Sequence, residues 1–183
     1  MKIKKIIKYT AMSLIACAFC SCSEIDLPEH YLDIEYRYEL TCSENVLEYV
    51  TPEVTITDAQ GNQKKILIDE SMWQGAGHKT WSQSVHYDSL GVTNTMTVRY
   101  LVKSDVTYKD ISGFDDTHNF NCFIFIKEDG DGRRNNYTMI PDYPSDNNVT
   151  ADMIEEFVLK LTSNSATKGG SVDMKGEITK IEK

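Results

Sequence analysis

The residues able to do chemistry are few and scattered. Gly75-Ala76-Gly77-His78-Lys79-Thr80 has the glycines and lysine of a phosphate-cradling loop, but His78 separates Gly77 from Lys79. That loop needs Gly-Lys-[Ser/Thr] contiguous, followed by a helix, to converge its donors on one phosphate. Asp129-Gly130-Asp131-Gly132 opens like a calcium loop, yet the cation Arg133 stands at the third ligand position and no Glu closes the shell. A hairpin turn accounts for those residues better. The histidines His30, His78, His86 and His118 lack metal-ligand spacing. His86-Tyr87-Asp88-Ser89 holds the residue types of a catalytic triad, but neighbours in a strand and turn point in different directions. No Gly-x-Ser-x-Gly elbow is present. The expectation is a protein with no catalytic residue, metal or cofactor, and not an enzyme.

Four residues remain as candidates for ligand binding: Trp73, Gln74, His78 and Trp81. They bracket a glycine-containing loop, and aromatic faces beside amide groups suit sugar rings or peptides. The competing use is structural, with Trp81 in a core and Trp73 capping a sheet edge.

Two of the five cysteines, Cys42 and Cys122, lie on apolar faces of candidate strands. A bridge between them would close an 81-residue loop and add roughly 4–5 kcal/mol on the chain-entropy model. Two separate buried thiols are the alternative, and spacing does not decide between them.

The other three cysteines belong to the leader. Lys2, Lys4, Lys5 and Lys8 precede a 14-residue apolar or small run, Tyr9–Cys22, with no acidic residue before Glu24. A membrane-spanning helix needs about 20 such residues, so the pattern reads as a secretory signal peptide. Within it, Leu14-Ile15-Ala16-Cys17-Ala18-Phe19-Cys20-Ser21-Cys22 resembles the lipobox of bacterial lipoproteins, in which small residues precede a cysteine. The resemblance implies that the thiol receives a diacylglycerol, that the leader is cut just before it, and that the new N-terminus is acylated. Cys17 fits the motif more closely; Cys22 leaves a fuller apolar core, and Ser-Cys-Ser followed by Glu24 and Asp26 is similar to lipoproteins of the Bacteroidetes. Cys22 is preferred, with Cys17 as the alternative. The domains expected are a signal peptide over 1–21, an acylated cysteine and tether over 22–30, and one folded domain over 31–183.

Similar resemblance extends through Leu47–Asp58 with Gly61, Val85–Leu90 and Thr93–Val98, and thins after Val102. It implies an outer-membrane lipoprotein with a β domain and no assigned activity. Asp88-Ser89-Leu90 also resembles a short O-glycosylation acceptor of that phylum, which would place a glycan on Ser89.

The elements that would position these residues are mostly strands. Leu32, Ile34, Tyr36, Tyr38, Leu40 and Cys42 alternate strictly with polar residues, the period of a strand with one buried face. Val54–Thr57 and Lys65–Ile68 flank a turn containing Gly61-Asn62, which predicts a hairpin. Trp81–Tyr87 and Thr95–Val102 flank Asp88–Gly91 and predict a second. Phe120–Ile126 is apolar on both faces, as a central strand is, and turns back into Tyr137–Ile140. Met153, Ile154, Phe157, Val158 and Leu161 repeat with helical spacing. Lys168-Gly169-Gly170 then reads as a break before one last strand, Val172–Ile178. Short strands with regular turn signals predict a β-sandwich of immunoglobulin-like layout with one amphipathic helix before the last strand; a lipocalin-like barrel is the alternative.

The chain of 183 residues carries 19 basic and 28 acidic side chains, a net charge of −9, with 40% hydrophobic residues. That suffices for one domain with a real core. Cleavage before Cys22 removes four lysines and no acid, so the mature chain would stand at −13. Such a surface repels phosphate backbones and anionic headgroups, which disfavours nucleic acid and direct docking on a bilayer. The expected partners are a membrane, reached through the acyl anchor, and a glycan or envelope protein. The function expected is a non-enzymatic binding or accessory module; a structural subunit of an envelope complex is the alternative.

Overall fold

Alternation along β1 (Leu32–Ser43) buries Ile34, Tyr36, Tyr38, Leu40 and Cys42 on one face and leaves Arg37 exposed on the other. The computed structural model describes residues 32–128, 131–139, 148–175 and 177–182. The signal peptide, Cys17, Cys22, the tether, His30 and the Asp129-Gly130 turn lie outside the described residues.

Two antiparallel sheets pack face to face. The first has the order β4-β1-β7-β8, with β4 at His78–Tyr87, β7 at His118–Glu128 and β8 at Asp131–Met139. The second has the order β11-β10-β5-β2-β3. Its strands are β2 (Val50–Thr57), β3 (Gln63–Leu67), β5 (Thr93–Val102), β10 (Ser165–Val172) and β11 (Ile178–Glu182). A small third ladder joins β6 (Ile111–Ser112) to β9 (Asn148–Val149). Among the described residues neither large sheet closes on itself, so the fold is a β-sandwich and the barrel alternative falls. Tyr36, Tyr38, Leu40 and Ile124 of the first sheet meet Val54, Met96, Val98 and Val172 of the second in one continuous core.

The first hairpin forms as its turn residues require: β2 pairs with β3, Gly61 adopts φ +81°, and the Asp58 carboxylate accepts from the Gln60 and Asn62 amides. The central strand β7 lies between β1 and β8, and Phe123 is buried on the face opposite Cys122 and Ile124. The amphipathic segment is a helix, α2 (Ala151–Ser163), capped by the Thr150 hydroxyl and burying Ile154, Val158 and Leu161.

Two expectations need correction. The strands flanking Asp88–Gly91 do not form a hairpin, because β4 belongs to the first sheet and β5 to the second. Leu90 and Val92 pack on the core, and the Gly91 amide donates to the Val172 carbonyl, so this segment crosses between the two layers. Lys168-Gly169-Gly170 is no break: it is the middle of β10, and the helix precedes two strands rather than one. Of the two alternatives left open for Cys42 and Cys122, the structure has the separate buried thiols. Cys42 stands opposite His118 and Cys122 opposite Tyr38, so they sit four residues apart along neighbouring strands. That offset is about 13 Å, far beyond the roughly 7 Å that a bridge tolerates. Burial pushes both thiols up to about 12, which keeps them protonated.

Candidate functional site

One element that positions the site is a short helix, α1 (Glu44–Tyr49). The Ser43 hydroxyl caps it by accepting from the Val46 amide at 3.1 Å, and Val46 and Tyr49 anchor it in the core. Its other face carries Glu44, Leu47 and Glu48 toward a cleft of about 620 Å³. The opposite wall begins at the end of β3 with Leu67. It continues through a single 3₁₀ turn, Glu70–Met72, which the Asp69 carboxylate caps, into Trp73. Trp73 is half-buried, packing against the core on one side and lining the cleft on the other.

Most charges around the cleft are matched. Glu44 meets Lys79 at 3.1 Å, and the hydrogen bond and charge of that ammonium hold its carboxyl below the usual range. Glu48 meets Lys109 at 2.9 Å. The Ser71 hydroxyl and amide hold the Asp69 carboxyl low. Glu70 and Lys103 make no ion pair among the described residues. The cleft thus offers an aromatic and aliphatic surface, ionised carboxylates that accept hydrogen bonds, and ammonium groups that donate them. Such a combination is chemically suited to a hydroxylated ring, whose face can pack on an aromatic side chain and whose hydroxyls can bond to charged groups.

The four predicted binding residues do not converge. Trp73 alone reaches this cleft. Gln74 and Trp81 line an adjoining groove, where Trp81 is only 5% exposed and contributes mainly to the core. The loop between them is closed by reciprocal backbone bonds between Gln74 and Thr80, with Gly75 and Gly77 at positive φ. His78 turns elsewhere, its Nε2 lying 2.6 Å from Asp115 Oδ2. Burial pushes the Asp115 carboxyl up, but hydrogen bonds from the Thr117 hydroxyl and amide and from His78 outweigh it and leave it low. The Ser43 hydroxyl also donates to the Asp115 carbonyl, so this cluster ties the start of α1 to the loop before β7.

His118 is a core residue, stacked edge-on against Tyr100 and Phe157, with its pKa lowered by burial. His86 pairs with Asp33 at 3.0 Å on the outer face of the first sheet. Ser89 is exposed between β4 and β5. Sequence reasoning missed Glu44, Leu47, Glu70 and Lys103; the readable signal was Ser43 followed by an acidic residue, a helix start. Among the described residues no group of His, Cys, Asp and Glu is placed to hold a metal, and no helix is long and apolar enough to cross a membrane. The chain matches no family model, no curated protein and no solved structure.

Proposed function

We propose that this protein is a lipid-anchored, non-enzymatic binding module of the bacterial outer membrane, and that its β-sandwich offers the Trp73 cleft to a glycan. The observation that carries the reading is Trp73 itself, half-buried on a cleft of about 620 Å³ with Glu70 and Lys103 beside it. The basic and apolar leader, followed directly by Cys22-Ser23, supports the anchor. A panel of neutral and charged oligosaccharides titrated calorimetrically against the full chain in detergent tests it. Binding by at least one sugar is expected, weakened about tenfold or more by Trp73→Ala. Heat that survives that substitution unchanged, or no heat from any sugar, sinks the proposal.

A structural role in an envelope complex is the second reading, favoured by the sheet edges β3, β4, β8 and β11, which pair with no further strand of their sheets among the described residues. A stoichiometric protein companion recovered from solubilised membranes would support it.

A further inference from the structure

Beside the Trp73 cleft runs a second groove, of about 640 Å³, between the free edge of β3 in one sheet and the free edge of β4 in the other. Its floor is Ile66 and Trp81; Leu67 and Met72, 53% and 40% exposed, stand on its rim. The strand registers fix which way the backbone groups point along both walls. The Thr80 amide donates to the Gln74 carbonyl and the Thr80 carbonyl accepts from the Gln74 amide, on the side away from β1. The β1–β4 register runs without a bulge from Ile34↔Tyr87 to Ser43↔His78, so the backbone groups of Ser82 and Ser84 point the same way as those of Thr80. Gln83 Nε2 donates to the Ser84 carbonyl. The Ser82 amide and carbonyl and the Ser84 amide have no partner among the described residues. On the facing wall, the Ile68 amide donates to Pro52. Continuing that register, Lys65 and Leu67 turn their amides and carbonyls away from β2, toward open space.

Gln74 therefore makes the first rung of a ladder that the chain abandons when it turns off through Glu70–Met72. Charge adds a second, independent indication. The groove is lined by Lys64 and Lys65 and by no acidic residue, in a chain whose net charge is −9. Lys65 has only a long contact with Glu53, 3.7 Å, and Lys64 makes no ion pair among the described residues. A second copy of this chain pairing edge to edge along β3 would set these lysines against their own counterparts.

We infer that this groove binds an extended acidic polypeptide segment of another protein, which adds as a strand to the edge of β4 at Ser82 and Ser84 while its carboxylates face Lys64 and Lys65. Backbone bonds would supply the affinity and the lysines the sign of charge selected. The inference stands apart from the glycan reading, since Leu67 is the one lining residue the two sites share.

The probe is a fluorescein-labelled eight-residue peptide of alternating Glu and Val, with alternating Lys and Val as its counterpart, measured by anisotropy against the full chain in detergent. The acidic peptide is expected to bind and the basic one not to. Lys64→Glu should weaken binding at least tenfold. Ser82→Pro should do the same, because it removes an amide that points outward and is not used within the sheet, a substitution that edge strands tolerate. Hydrogen exchange of the unaltered chain provides a readout independent of any variant: the Ser82 and Ser84 amides should slow on adding the acidic peptide. Failure of the acidic peptide to bind, or binding without protection of those amides, overturns the inference. So does a Lys64→Glu variant that binds as before. Polygalacturonate binding that displaces the peptide and survives Ser82→Pro would assign the groove to an acidic glycan instead. A concentration-dependent dimer that protects the same amides would assign it to a second copy. Loss of the Trp73→Ala effect on sugars would leave this inference intact.

Discussion

Lys168 sits on the inner face of β10, 1% exposed, with its amine 5.9 Å from the Phe120 ring centroid and no hydrogen-bond partner among the described residues. Burial lowers its pKa; Glu182, its cross-strand neighbour on β11, pulls the other way. The unfolded chain therefore binds a proton that the native state resists, and stability from this site rises with pH until the unfolded amine titrates near about 10.4. Lys168→Met keeps the length of the side chain and removes the charge. It should raise Tm at pH 7 by about 2–5 °C, with the gain shrinking as the buffer approaches pH 10. Thermal melts of both proteins from pH 6 to 10 check this; a Tm that falls at pH 7 would mean that the ammonium is held by something worth more than its desolvation.

The elements were legible where a single face repeats. The β1 alternation, the β2–β3 turn at Gly61 and the α2 stripe each specify local structure through period or turn chemistry, and each stands as read. Sheet membership was not legible across Asp88–Gly91, because alternation says which face of a strand is buried but not which partner it finds. The helix α1 escaped notice because six residues are too few to show a period. Its loss cost the reading half of the cleft, leaving Trp73 without Leu47 opposite it. Lys168-Gly169-Gly170 misled for a different reason: glycine reads as a turn, whereas here it permits close packing. A Cβ on Gly169 would stand 2.1 Å from the Asn94 carbonyl oxygen and 2.9 Å from the Thr95 Cα, both backbone of β5. On Gly170 it would meet the tip of Ile124 at 2.6 Å, a side chain able to turn aside. Gly169→Ala should therefore destabilise the sandwich by about 2–3 kcal/mol and Gly170→Ala by less, near 1 kcal/mol. Urea midpoints rank the two; equal losses, or the reverse order, would show that the strands separate more freely than this packing allows.

At the scale of the whole molecule, charge and attachment work in opposite directions. Cut before Cys22, the chain would carry −13 and be repelled by anionic headgroups, and no described helix is long and apolar enough to cross a bilayer. Holding such a body at a membrane requires a force that outweighs that repulsion, and acyl chains supply it at about 0.8 kcal/mol per buried methylene, enough for stable anchoring when two or more chains are present. The proposed anchor at Cys22 follows from this balance, and the two cysteine registers separate experimentally. Expressed in a bacterium of the Bacteroidetes, the native protein should enter the detergent phase on cloud-point separation. Cys22→Ser should shift it to the aqueous phase or leave it as an uncut precursor, while Cys17→Ser should leave partitioning unchanged. Mass spectrometry of the mature N-terminus then carries the decisive number, an added mass of three acyl groups and glycerol on Cys22. If Cys17→Ser is the variant that loses the anchor, the tether gains five residues and the domain hangs farther from the membrane. If neither substitution changes the partitioning, neither Cys17 nor Cys22 carries the anchor, and the proposed attachment fails.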